Sequence, residues 1–232
     1  MASIDDLINR QFHQWEMQKM ERAEVPPAHE RPMAIVTVSR ELGSRGSHFA
    51  SLLADRLGHQ MIHKEIVEAI CASSGYRKRI VESLDEHYRS RLLITIDSLM
   101  TGQAVDHAEY FRHLVAVVLS MARLGGVVLV GRAGNFILGP QKGFHIRLIC
   151  PRPERIRNLV TFRHMNEVEA RNAIEQSDIQ RKEFVRKLFN ADIDNPHHYD
   201  MVINTAYIDI EHCVGPTVEA IGLKMARLAE AR

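Results

Sequence analysis

Apolar positions along the chain change rhythm several times, and each change predicts an element. Over residues 4–22, Ile4, Leu7, Ile8, Phe12 and Trp15 recur near a helical period, which predicts an amphipathic helix. Pro26, Pro27 and Pro32 then break the pattern, so Glu24 to Pro32 reads as a linker. From residue 33 strands and helices alternate. Ile35–Val38 is a continuous apolar run of the kind buried on both faces of a parallel sheet. Ser47–Leu57 is helical and stops at Gly58. Gln60–His63 is a short second strand, and Lys64–Ala72 a helix ending near Gly75.

Residues 77–124 are mostly helical, interrupted around Thr101–Gly102 and ended by Gly125–Gly126. Val127–Val130 and His145–Ile149 are the third and fourth strands. Residues 153–163 and 167–189 are helices, Asp192–His198 a loop and Met201–Asn204 a fifth strand. A helix over 211–230 closes the chain, with Gly215–Pro216 as a candidate kink. The alternation implies βαβ units and a parallel sheet, an α/β fold whose ligands bind beyond the carboxyl ends of the strands. Three features fall at that edge: residues 39–48, Gly131–Arg132 and Asn204–Thr205.

Composition narrows the class. The 232 residues suit one α/β domain with a sizeable core, 45% of them apolar and 25% charged. A net charge of +1 gives no basic face for a long polyanion, so no nucleic-acid polymer is expected as a partner. Cys71, Cys150 and Cys213 are scattered, with no CxxC pair. They argue against a disulfide framework or a zinc site and for a reduced, cytoplasmic setting. No secretory pattern opens the chain, and no apolar run reaches the roughly 18 residues of a membrane span. The segment 1–32 is a helical arm and linker ahead of the main domain, 33–232. It is either a docking arm, such as half of a homodimer contact, or an arm packed back on its own domain.

The residues that could carry chemistry cluster in three stretches. In the Ser39–His48 turn, Gly43 and Gly46 let the backbone approach a phosphate, Ser44 and Ser47 bring hydroxyls, and Arg40 and Arg45 bring positive charge. The pattern G-x-x-x-x-G-K-[ST] is not met, because Gly46 stands about where its lysine would be and Ser47 where its Ser or Thr would be. Ser47 is the candidate magnesium ligand; alternatively the turn is a plain strand-to-helix connection with a serine cap. In Val127–Asn135, a buried strand delivers Arg132 to the ligand edge, either to grip phosphate in a bidentate fork or to pair with a carboxylate. Asp178 and Arg181, three apart on a helix, either orient and bind a substrate or form an exposed ion pair. Arg152, Arg155, Arg157 and Arg163 make the preceding region rich in mobile positive charge.

Taken in order, these stretches resemble the cytidylate kinase-like family of P-loop nucleotide kinases. Ile35-Val-Thr-Val-Ser-Arg-Glu-Leu-Gly-Ser-Arg-Gly46 is similar to its opening I-x-I-S-R-x-x-G-S-G-G, a lysine-less phosphate loop. Ala54–Gly58 with Ile62–Ile66, Val130-Gly-Arg132 and Tyr199–Thr205 resemble its A-x-x-L-G, D-K-E-I, G-R and Y-D-L-V-I-N-T segments. His63 stands at the Asp of D-K-E-I, and Ala133 at the Asp that follows G-R in cytidylate kinases.

The resemblance implies a three-layer P-loop kinase fold with a five-stranded parallel sheet, a helical insert at about 77–124 and a lid at about 152–190. It implies ATP as phosphoryl donor, Mg²⁺, and a nucleoside monophosphate such as CMP as acceptor. Arg40, Gly43, Ser44, Gly46 and Ser47 would hold the donor. Arg132, Asp178 and Arg181 would bind the acceptor, with Arg45, Arg132 and Arg181 acting in catalysis. Two other readings stay open: a catalytically weakened relative that signals through a partner, and a structural protein whose arginines form surface pairs.

Overall fold

A computed structural model describes residues 3–24, 35–82, 84 and 108–230. The linker beyond Glu24 and the break at Thr101–Gly102 lie outside the described residues.

Five strands form one all-parallel sheet: β1 (Val36–Arg40), β2 (Gln60–Ile62), β3 (Val127–Val130), β4 (Phe144–Ile149) and β5 (Met201–Asn204), in the order β2-β3-β1-β4-β5. Side chains alternate across it. Val36, Val38, Val128, Val130, Ile146 and Leu148 pack against α2 (Gly46–Leu57) and the closing helix α9 (Ile210–Glu230). Ile35, Ile62, Val127 and Leu129 face the opposite layer, built from α3 (Lys64–Ala72), α4 (Ser74–Glu82) and α5 (Ala108–Leu124). The result is the expected three-layer α/β fold. The central strands can be nearly all apolar because both faces are covered.

Helix α1 (Ile4–Glu24) joins the second layer. Ile8, Phe12 and Trp15 are buried in its core, Trp15 Nε1 donates to Gly125 O at 3.1 Å, and Gln60 Nε2 donates to Leu7 O at 3.1 Å. The apolar stripe of this helix is thus spent inside the chain.

Several boundaries moved. Gly75 does not end a helix but lies inside α4; the break comes at Ser73, whose hydroxyl accepts the Tyr76 amide at 3.3 Å. A short helix not foreseen, α6 (Gly134–Leu138), follows β3 and is entered through left-handed Arg132 and Ala133. Two helices, α7 (Arg152–Arg163) and α8 (Glu167–Phe189), occupy the stretch expected to be a lid. A capping box between Asn166 and Glu169 fixes the start of α8. Helix α9 runs on through Pro216, and Pro196–His198 is a 3₁₀ turn.

Candidate functional site

At the carboxyl edge of β1 the chain turns through Glu41–Arg45 into α2. Gly43 is required twice: its φ is +84°, and a Cβ there would lie 2.6 Å from Arg155 O. Among the described residues, the amides of Gly43, Arg45, Gly46 and Ser47 have no acceptor. They border a cavity of about 460 Å³ lined by Arg40–Gly43, Arg45–His48, Asn158, Phe162, Arg163 and Arg181. Orphan N–H groups at the start of a twelve-residue helix favour an anion.

A second cavity, of about 380 Å³, opens beside it between β1, β3 and α8. Four cations line it: Arg40, Lys64, Arg132 and Arg181. Thr37, Ser39, Asn135, Ser177 and Gln180 add polar groups, and Phe136 and Phe184 aromatic faces. No Asp or Glu lies among its described lining residues. Arg40 and Arg181 line both cavities and so form the wall between them.

Arg40 leaves the end of β1 and passes over two glycines from two different turns. A Cβ on Gly46 would lie 2.5 Å from Arg40 Cβ, and one on Gly131 would lie 2.7 Å from Arg40 Nη1. A lysine at position 46 is therefore excluded, and the space beside that position is filled by the stem of Arg40. The Arg40 guanidinium makes no hydrogen bond or ion pair with a described residue. Burial, with Arg181 and Arg132 nearby and Glu65 opposing, lowers its pKa to about 10. Burial also lowers the pKa of Arg132 and of Arg181, against the pull of Glu65 and Asp178 respectively. His63, just before α3, is likewise held below the usual range by burial, with Arg40 adding to the effect. Three guanidinium groups crowd one another, and among the described residues only Arg132 has an ion-paired carboxylate, Glu68, an arrangement that an anion relieves.

The candidate residues are not all placed as their spacing suggested. Arg45 takes a left-handed conformation (φ 58°) and turns to the cavity rim, 3.6 Å from Glu211 Oε1 and 5.0 Å from the Phe162 ring centroid. Ser47 lines the first cavity; Ser44 is fully buried, its hydroxyl donating to Glu41 O. Arg132 lines the second cavity but pairs with Glu68, and its buried Nε has no partner among the described residues.

Asp178 and Arg181 do not pair with each other. Asp178 receives both Nη groups of Arg155, at 2.9 and 2.7 Å, while Arg181 Nη1 donates to Arg40 O at 2.6 Å. Arg155, counted above among mobile charges, is only 4% exposed. Lys64, Phe136, Phe184, Asn135 and Asn158 were not singled out from sequence. Lys64, inside the Ile62–Ile66 segment, and Asn135, at the end of the Val127–Asn135 stretch, carried a signal that could have found them.

No group of three or more His, Cys, Asp or Glu among the described residues could hold a metal ion. Glu41, the carboxylate lining the first cavity, has Oε2 occupied by the Cys150 amide at 2.7 Å. A magnesium ion that arrives on phosphate oxygens and keeps its waters fits this site, with Ser47 as a protein ligand; one caged by carboxylates does not. The three cysteines are free thiols, and no helix among the described residues is long and apolar enough to cross a membrane.

Comparison with known proteins agrees with the fold. A cytidylate kinase of Ignicoccus hospitalis is 27% identical over 183 residues, covering 78% of this chain and 95% of its own length. A uronate isomerase of Corynebacterium glutamicum is 32% identical over 108 residues, which are 46% of this chain but only 21% of that relative. The crystal structure of an uncharacterized protein from Eubacterium ventriosum superposes with a TM-score of 0.64 at 18% identity, covering 82% of this chain and 98% of that one. The profile of the cytidylate kinase-like family matches residues 35–207. With the glycine turn after β1, the arginine wall and helices α7 and α8 all inside that matched span, the chain belongs to the cytidylate kinase-like family.

Proposed function

We propose that this chain moves the γ-phosphoryl group of ATP to a nucleoside monophosphate of the CMP type. The observation that carries the reading is the wall of Arg40 and Arg181, with Arg132 beside it, between an amide-lined cavity and a cationic cavity lined by no described carboxylate. An acceptor hydroxyl needs a positioned base to take its proton, as a catalytic Asp does in many kinases. An acceptor phosphate oxygen is already anionic and needs only cations. The second cavity offers Arg40, Lys64, Arg132 and Arg181 for that phosphate, and Phe136 and Phe184 for a nucleobase.

In this reading the amides of Gly43 and Arg45–Ser47 hold the donor phosphates, and Arg40 supplies the charge that a loop lysine brings elsewhere. An oxygen of the acceptor phosphate forms a bond to the γ-phosphorus as the bond from that phosphorus to its bridging oxygen breaks, releasing ADP. Charge spread over the three transferring oxygens meets Arg40 and Arg181 from the wall and Arg132 from the β3 turn. Arg45 contributes from the rim, and Asp178 acts by orienting Arg155. Mg²⁺ on the donor, with the Ser47 hydroxyl among its ligands, would neutralise phosphate charge.

An ADP-release assay across acceptors tests this. Nucleoside monophosphates are expected to drive turnover, and neutral polyols and sugars to give less than about a hundredth of that rate, the scale of one missing catalytic group. Turnover with a hydroxyl acceptor that bears no anionic group would overturn the acceptor assignment. ATP binding without ADP release for any acceptor would leave a nucleotide-binding relative on the same fold.

A further inference from the structure

Every carbonyl from Arg40 to Ser44 accepts a side-chain hydrogen bond. Arg181 Nη1 reaches Arg40 O at 2.6 Å, Ser44 Oγ reaches Glu41 O at 2.9 Å, and Arg155 Nε reaches Leu42 O at 2.6 Å. Asn158 Nδ2 reaches Gly43 O at 2.8 Å, and Thr205 Oγ1 reaches Ser44 O at 3.0 Å. Four of these five donors lie outside the turn, on α7, α8 and the segment after β5.

A trans peptide is planar, so its C=O and the N–H of the next residue point in opposite directions. Fixing Leu42 O therefore aims the Gly43 amide, and fixing Ser44 O aims the Arg45 amide. Those two amides are among the ones left without an acceptor at the first cavity. Arg155 is the centre of the arrangement. Its Nε takes Leu42 O, its two Nη groups take both carboxylate oxygens of Asp178 on α8, and its own backbone packs against Gly43.

Resting on the donor site proposed above, we infer that Arg155 and Thr205 are positioning residues for the donor phosphates. They touch no ligand. They hold the carbonyl face of the turn so that its amides point at the cavity, and Arg155 ties that aim to α8, one turn from Arg181. The lid region thereby sets the shape of the phosphate site.

The test is calorimetric titration of the whole chain with inorganic pyrophosphate, ATP·Mg²⁺ and CMP, for the wild type and for Arg155→Lys and Thr205→Val. Lysine keeps a charge for Asp178 but cannot span both Asp178 and Leu42 O. Valine keeps the shape of Thr205 without its hydroxyl, so it stands in should Arg155→Lys not fold. Expected is a loss of about tenfold or more in pyrophosphate and ATP affinity for Arg155→Lys and about threefold to tenfold for Thr205→Val, with CMP affinity within about twofold of wild type, from the turn-carbonyl hydrogen bond that each substitution removes. Unchanged pyrophosphate affinity in a folded Thr205→Val, or an equal fall for CMP, overturns the positioning role. Failure of the wild type to bind either phosphate probe overturns the donor site itself and the inference with it.

Discussion

The two ends of the same strands are built by opposite rules. At the amino ends of β1 and β4, polar groups are matched with one another. His145, 2% exposed, bonds Thr37 Oγ1 through Nδ1 at 2.8 Å and Gly139 O through Nε2 at 2.9 Å. The His145 amide donates to Asp200 Oδ2, and Lys224 Nζ spans both oxygens of that carboxylate at 2.7 and 2.6 Å. At the carboxyl end the terms are unfavourable. Arg45, Arg132 and Ala133 are left-handed, and among the described residues four amides lack acceptors, buried Arg132 Nε has no partner, and Arg40 stands unpaired among cations. Each left-handed residue other than glycine costs roughly 1–2 kcal/mol. Such costs persist where a ligand relieves them, so the carboxyl end is the end to perturb for function and the amino end the one to perturb for stability.

The largest effect is expected at Arg40. Arg40→Met keeps the apolar stem over Gly46 and removes the charge from the wall. Turnover should fall about 10³-fold, the usual loss for one preorganised charge donor. Stability should rise. A guanidinium pKa lowered from 12.5 to about 10 marks a folded state that resists the charge. At 1.36 kcal/mol per pKa unit the relief is at most about 3–4 kcal/mol, and about 1–3 kcal/mol is expected after relaxation. Activity assays beside thermal unfolding check both signs. A variant that loses stability along with activity would show Arg40 to be a structural cation, and the contrast between the two ends would fail.

His145 should behave the other way. Burial holds its pKa below the usual range. The unfolded chain therefore takes up a proton near pH 6.5, where the folded chain does not. This contribution to stability is present above about pH 6.5 and is lost as pH falls from there toward the folded pKa. His145→Gln should cost about 1–3 kcal/mol at pH 7.5, through the broken bonds to Thr37 and Gly139. It should flatten the fall of Tm between pH 6.5 and 5, while turnover stays within about threefold of wild type. The stability loss is read by denaturant unfolding at each pH. A turnover loss matching that of Arg40→Met would mean that the amino end also serves the reaction.

The sequence carries one end of this contrast better than the other. Strands β3 and β5 and helix α8 begin and end where their apolar runs and periodicity place them, because those signals are local. Short α6 was not legible, since its entry depends on left-handed Arg132 and Ala133, which only the packed turn enforces. The site was legible as a set of positions and not as a set of directions. Spacing puts Arg40 and Arg45 on either side of Gly43 but cannot say which side chain turns inward. Packing decides that, through Gly46 and Gly131 under Arg40. Spacing three apart likewise suggested an Asp178–Arg181 pair, but buried Arg155 needs a carboxylate more than a half-buried neighbour does.

The smallest effect is expected at Arg45, and it separates the two arginines of the turn. At φ 58° a glycine relieves roughly 1–2 kcal/mol of backbone cost. Arg45→Gly returns about 0.4–1 kcal/mol of that as extra freedom of the unfolded chain. It also forfeits an exposed pair with Glu211, worth about 0–1 kcal/mol, and the contact over Phe162, worth about 0.5–1 kcal/mol. Unfolding free energy should then stay within about 1 kcal/mol of wild type. Turnover should hold, with KM for ATP rising less than about tenfold, because a rim cation acts across solvent. If Arg45→Gly instead matched the loss expected of Arg40→Met, the charge that replaces the loop lysine would be Arg45 swinging in from Glu211. The unpaired state of Arg40 would then be strain without a catalytic purpose.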